Sequence, residues 1–357
     1  MSHVPFLAVR PNDQFSSDVK PNGGIDRDTD TTTAALARAM PRAPPASRLP
    51  AWVRFPLVCI LSLALSTLLY TVTAEFSGYE LAAVSREANE EWQVGALLTR
   101  KLVELSTAWY AGYDWKDLAG LSILSNLPLY FLLTTFYGID TVASTFALLI
   151  DISAIAVPFA LLRPLIHAHE PGQDANQIVA QDRRIFFYVG LLGAAIYSVI
   201  IYSSLYTWLP VYLLVHFDGV RNMQKAHDAT LPLLLLSFLP TGWATAQFLF
   251  TPSIGSRGNP GLTDPDIFPE KTNFDPETAT FMETVAFNLG FKGGFTKRAE
   301  VLVKRSTVLM TCSVANTFAR VLMTIDGTEA WGAAGWAGVW GAAALLTSVA
   351  YGFVGNE

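Results

Sequence analysis

Charged residues are scarce in this chain. Asp, Glu, Lys and Arg make up 15% of its 357 residues, whereas soluble domains carry about 25%. That deficit excludes an ordinary soluble domain, and with a net charge of −6 and no basic face, nucleic acid is not an expected partner. There are two cysteines, Cys59 and Cys312. Both fall inside apolar runs, so they are expected to be small packing residues and not a disulfide. The five histidines avoid the centres of the apolar runs. The chain has no Walker A segment, G-x-S-x-G, H-E-x-x-H or glycine-rich dinucleotide fingerprint. Nothing therefore supports an enzyme, and no cofactor is expected. No N-x-S/T sequon, lipidation motif or cleavable signal peptide is expected either.

What the chain does have is apolar length. Seven stretches of about twenty apolar residues each suffice to cross a hydrocarbon layer of ~30 Å as a helix. In lipid the backbone must satisfy its own hydrogen bonds, which a helix does. The expected fold is all-α, a polytopic transmembrane helical bundle of about seven spans. Residues 1–50 form a disordered N-terminal tail, because TDTTTAALARAMPRAPPASRLP has no sustained apolar period. Residues 51–355 form the transmembrane helical domain. Its spans are expected at about 52–74, 119–137, 141–162, 185–206, 229–250, 306–325 and 330–353.

Two loops carry more than a turn. In residues 75–118, Leu81, Val84, Trp92, Leu97, Leu98, Leu102 and Leu105 recur at near-helical spacing, as in an amphipathic helix lying on the membrane or on the bundle. Arg100, Lys101 and Glu104 in its middle argue against a span. In residues 251–305, Phe281, Val285 and Leu289 suggest a second interfacial helix. Tyr70, Phe76 and Tyr79 mark one membrane interface. Gly138-Ile139-Asp140 suits a tight turn, and Pro128, Pro158, Pro232 and Pro240 mark kinks. Trp208-Leu209-Pro210 breaks the fourth block ahead of a short interfacial piece ending at His216.

Orientation draws conflicting votes. Lys292, Lys297, Arg298, Lys304 and Arg305 precede the sixth span, and Arg163, Arg183 and Arg184 follow the third. By the positive-inside rule these loops face the cytosol. Carried through seven spans, that puts the N-terminus outside. Yet Arg38, Arg42, Arg48 and Arg54 precede the first span and vote the opposite way. Both hold only if the count is wrong by one span before the third.

Charges at bilayer depth cost several kcal/mol and need a reason. Asp151 lies about ten residues, or ~15 Å, into the third span. Arg320 lies in the sixth, and Asn316 one turn below it on the same face. An Asp151–Arg320 pair assisted by Asn316 is within reach, either as an interhelical clamp or as part of a transport or ligand path. Asn126, beside Pro128, is a weaker candidate for bonding a neighbouring helix. His167 and His169, with Glu170, superficially offer metal ligands. Without a third partner at a diagnostic spacing they are expected to be ordinary loop polarity, and no metal is expected. Gly332, Gly335, Gly338 and Gly341 in the last span form a helix-packing face, used inside the monomer or in a homo- or hetero-oligomer. The lipid bilayer is the one expected partner.

These features favour a non-enzymatic structural or complex-organising membrane component. A solute, ion or proton transporter using Asp151, Asn316 and Arg320 is the alternative. A seven-span receptor rests on span count and orientation alone.

Overall fold

The computed structural model describes residues 50–82, 91–170, 175–256, 280–281, 284–285 and 297–354. Nearly all of these are helical, and no strand forms among them. The expected tail at 1–50 and interfacial helix near Phe281 lie almost wholly outside the described residues.

The helices in order are α1 (Ala51–Ala82), α2 (Glu91–Tyr110), α3 (Trp115–Phe136), α4 (Thr141–Leu162), α5 (Ala175–Gln181), α6 (Arg183–Tyr206), α7 (Leu209–His216), α8 (Gln224–His227), α9 (Leu231–Ser237), α10 (Leu239–Thr245), α11 (Thr251–Gly255), α12 (Lys297–Thr324) and α13 (Ala330–Val354). A wide π-type turn, Ala246–Phe250, joins α10 to α11. Five segments are long and apolar enough to cross a membrane: Trp52–Ala74 of α1, and α3, α4, α6 and α13. A sixth exists if α9 and the α10–α11 rod, bent by 53°, count as one span. The expected span at 306–325 falls within α12 but for its last residue, and the 28 residues of α12 do not qualify by composition.

Local chemistry sets the helix ends. The Asp114 carboxylate caps α3 by accepting from the Asp117 amide at 3.0 Å, and Asp182 caps α6 by accepting from Arg184 at 2.7 Å; each satisfies an orphan N–H of the first turn. Between α3 and α4, Gly138 adopts φ 70°, a left-handed conformation that glycine takes without strain. Pro210 starts α7 after a break at Thr207–Trp208.

The hub is α3, buried along nearly its whole length while little of α1 is buried. α4, α10 and α12 pack around it, α1 lies outside α4, and α13 packs on α12 and α6. α3 and α12 run parallel. Arg305 meets Asp117, Ser313 meets Leu124, Asn316 meets Asn126, and Arg320 also meets Asn126, so partner numbers rise together. Aromatic rings fill the core toward the far ends of these helices: Trp336 and Trp340 are fully buried against Phe131, Phe136 and Phe238.

α2 departs from the expectation of an interfacial helix. Trp109 packs on Phe55 at the start of α1 and on Phe159 near the end of α4. Nine residues earlier, Arg100 bonds Asn316 in the middle of α12. Nine helical residues span ~13.5 Å, so α2 runs along the bundle and not flat across its end. Leu105 and Ala108 are buried, Leu98 and Val103 are exposed, and Arg100, Lys101 and Glu104 are turned toward the interior. The outward face of α2 is thus largely apolar and its charges face the other helices. Tyr70 also moves: α1 continues to Ala82, so Tyr70 faces the bundle interior and is not an interface marker.

Proline costs helix hydrogen bonds, and here polar side chains replace them. Pro128 lacks the N–H that would bond the Leu124 carbonyl, which instead accepts from the Ser313 hydroxyl at 3.3 Å. Near Pro252, where the π-type turn shifts the register, the Phe248 carbonyl accepts from Arg305 at 3.0 Å.

Close helix contact depends on glycine at the α6–α10 crossing. A Cβ added to Gly242 would lie 2.0 Å from the Gly190 carbonyl oxygen and 2.8 Å from the Ala194 nitrogen. In α13 the glycines do not share one face, because steps of three residues rotate each by about 300°. Gly332 lies against His216 and Phe217, Gly335 against the Tyr212 ring, and Gly341 against Val314, while Gly338 faces open space. Gly242→Val should therefore lower stability by about 1–3 kcal/mol or more, and Gly338→Ala should be neutral or slightly stabilising. Thermal unfolding in detergent micelles measures both.

Candidate functional site

Two polar clusters flank α3, one at mid-length and one at its N-terminal end. The middle cluster joins five helices. Arg320 of α12 donates to the Asp151 carboxylate of α4 at 2.6 Å. Tyr130 of α3 and Tyr70 of α1 donate to the same carboxylate at 2.8 and 3.0 Å. Arg320 also bonds the Asn126 side-chain oxygen and, at 3.2 Å, the Tyr130 hydroxyl, with its guanidinium 5.3 Å over the Tyr130 ring.

Asn126 is saturated. Its oxygen accepts from Arg320 and from Asn316 at 2.9 Å, and its amide donates to the Ser122 carbonyl and hydroxyl at 2.9 and 3.0 Å. Asn316 also donates to the Ser125 carbonyl at 2.7 Å and accepts from Arg100 of α2. The structure thus brings Asp151, Asn316 and Arg320 into one network, and adds Tyr70, Arg100, Asn126 and Tyr130. Asp151 and Arg320 are each about 13% exposed, an ion pair largely withdrawn from water and further held by hydrogen bonds with Tyr70, Tyr130 and Asn126, as burial of charge requires.

The second cluster was not foreseen. Arg305 makes a bidentate pair with Asp117 at 2.7 and 2.9 Å, the fork-to-carboxylate geometry that arginine favours. Its guanidinium lies 4.9 Å from the Tyr113 ring and 5.2 Å from that of Phe248. Next to it, the His169 Nδ1 lies 2.7 Å from Asp114 and its Nε2 lies 2.8 Å from the Gln247 amide nitrogen. An ionised carboxylate only accepts, so Nδ1 donates; the amide only donates, so Nε2 accepts. This pattern fits the neutral ring. Burial pushes the Asp114 carboxyl up, but the bonds from His169 and from the Asp117 and Ile166 amides hold it below the usual carboxylate value.

His169 is therefore not ordinary loop polarity. It is 4% exposed, folded inward because Asp114 and Gln247 satisfy both ring nitrogens. The side chain of His167 lies outside what can be described. Ligand atoms of Asp114, Asp117 and His169 lie within 4.8 Å of one another, a spacing that could hold a cation. Yet Arg305 occupies both Asp117 oxygens and Gln247 occupies His169 Nε2, so a cation would have to displace a full set of bonds. The donor set fits a hydrogen-bonded ion pair better than a metal centre.

Part of this was legible. Asn316 and Arg320, four residues apart, share one face of α12 and were readable as a pair; Arg305, eleven residues earlier on that face, reads only as one of the basic residues ahead of the span. Asp117 and Tyr130 carried no comparable signal, since a carboxylate near a span end and a tyrosine inside one are both common.

A profile of the Bouquet formation protein 3 C-terminal domain matches residues 182–322, less than half of the chain. The match runs from the cap of α6 to near the end of α12. It contains Gln247, Arg305, Asn316 and Arg320, while their partners Asp114, Asp117, Asn126, Asp151 and His169 lie outside it. No curated protein and no solved structure matches the chain.

The clusters predict different outcomes for adjacent residues. Arg305→Met leaves Asp117 charged, buried and unpaired, and should cost about 3–5 kcal/mol. Lys304→Met removes only an exposed pair with Glu300 and should stay within about 1 kcal/mol. Unfolding midpoints of the two variants in micelles decide this.

Proposed function

We propose that the chain is a multi-pass integral membrane protein that crosses the bilayer eight times. It serves as a non-enzymatic, complex-organising component, and the partial family match suggests a place in bouquet formation. The closed bonding of the Asp151–Arg320 cluster carries the reading. The carboxylate accepts from three donors, the guanidinium reaches Asp151, Asn126 and Tyr130, and what remains is a clamp across α1, α3, α4 and α12. Neither Asp151 nor Arg320 lines any of the three cavities described for this molecule.

Eight crossings follow from counting α2 and α12 with the apolar helices and treating α9–α11 as one bent span. This count supplies the extra span ahead of the third expected one, and it reconciles the charge votes. Arg54, Lys116, Arg163, Arg183, Arg184, Arg298, Lys304 and Arg305 then share one face. Among the described residues, only Arg221 and Lys225 lie at the opposite end, with Asp140, Asp218, Asp228, Asp326 and Glu329. By the positive-inside rule the basic face is cytosolic, and with it the start of α1 and the end of α13. A receptor reading, built on seven spans and an outward N-terminus, loses its basis.

A carrier is the second reading, favoured by two observations: Asn316 and Arg100 line a cavity of about 420 Å³, and Tyr130 lines another. Tyr130, which bonds Asp151, lines a cavity of about 560 Å³ near the acidic end together with Thr134, Lys225 and Asp228. Two measurements separate these readings. With Cys59 and Cys312 replaced by alanine, single cysteines at Asp30→Cys and Leu165→Cys should label from the same side of intact vesicles, and Asn222→Cys from the other. Labelling of positions 30 and 165 from opposite sides would refute eight crossings. In liposomes, proton and ion flux should not exceed that of protein-free vesicles. A gradient-driven flux abolished by Asp151→Asn would establish the carrier instead.

A further inference from the structure

At the basic end of the bundle a cavity of about 540 Å³ opens between the start of α3, the His169 turn, α6 and α10. Its volume lies in the range of small-molecule sites, and its lining divides into two chemistries. One wall is cationic, with the Lys116 ammonium and the Arg183 guanidinium. The other is apolar: Phe187, Leu239 and Trp243 are 59, 37 and 42% exposed, on the outer surfaces of two membrane-crossing helices. Gly190 lines the space between them, where a larger residue would take up room.

The charges are available to a ligand. Lys116 donates to the His169 carbonyl at a long 3.4 Å, and among the described residues neither Lys116 nor Arg183 pairs with a carboxylate. The acids nearby are already committed: Asp117 to Arg305, Asp114 to His169 and two amides, and Asp182 to the amides that start α6. His169 and Gln247 close the polar side and are fixed to each other. The lining thus holds two cations and no carboxylate at headgroup depth, with an apolar wall continuing into the hydrocarbon.

From this we propose that the cavity binds an anionic glycerophospholipid. Its phosphate lies between Lys116 and Arg183, and an acyl chain runs along Phe187 and Trp243. A cation near the membrane surface attracts anionic headgroups by about tenfold or less in binding, and two within one cavity give a preference that open surface charge does not. A free phosphate offers the same anion without the chain, so the test must distinguish them. The proposal requires a membrane protein but not eight crossings, so it stands or falls separately from the topology.

The full chain in non-ionic detergent is titrated with phosphatidic acid, phosphatidylcholine or inorganic phosphate, following the melting midpoint and the lipids retained in native mass spectrometry. Wild type should bind phosphatidic acid about tenfold more tightly than phosphatidylcholine, and Arg184→Gln, an exposed neighbour, should match it. The double variant Lys116→Gln/Arg183→Gln should lose that preference, while Lys116→Arg/Arg183→Lys keeps it. Four results would overturn the proposal: no preference in wild type, preference unchanged in the glutamine double variant, preference lost in Arg184→Gln, or equal protection by inorganic phosphate. Should the glutamine variant fail to fold, the wild-type lipid preference and the charge-conserving variant still decide.

Discussion

The seam between α3 and α12 organises this bundle. In lipid, helices gain little by burying apolar surface against one another, because the acyl chains are equally apolar; polar contacts and close packing decide which helices pair. Here Arg305, Ser313, Asn316 and Arg320 reach from α12 to successive levels of α3 and, through Asp151, to α4. Each rung also repairs a local deficit. Ser313 fills the carbonyl that Pro128 frees, Arg305 bonds the Phe248 carbonyl in the π-type turn, and Asn126 and Asn316 satisfy one another. The prolines and the polar residues are two halves of one arrangement.

That seam explains why α2 belongs inside. A helix carrying Arg100, Lys101 and Glu104 is costly in lipid on its own. Placed beside α12 it offers Arg100 to Asn316, pairs its charges internally at 3.5 and 3.8 Å, and leaves leucine and valine outward. Hydropathy taken helix by helix rejects it, because hydropathy does not register which face a charge occupies or what receives it.

The helical class, the boundaries of α4, α6 and α13 to within about two residues, and the Gly138 turn were legible because each depends on local chemistry: apolar run length, proline, glycine. Asp151, Asn316 and Arg320 were legible because a charge within an apolar run is rare enough to demand a partner. His169, Asp117 and Arg305 were not, because they lie at span ends, where polar residues ordinarily meet water. Only the fold shows that the Asp114 cap and Gln247 enclose them. The glycines of α13 misled by spacing: three-residue steps spiral around a helix, so Gly332 and Gly341 meet different neighbours.

If the buried charges are clamps, their worth lies in each other and not in what passes between them. The direct test is a double-mutant cycle on Asp151→Asn and Arg320→Met in lipid nanodiscs, read as unfolding midpoints. Each single change should be strongly destabilising, since it strands a buried partner, and the double variant should lose clearly less than the sum of the two. A double variant that loses the full sum or more would mean that the two residues act independently, and the clamp would be wrong.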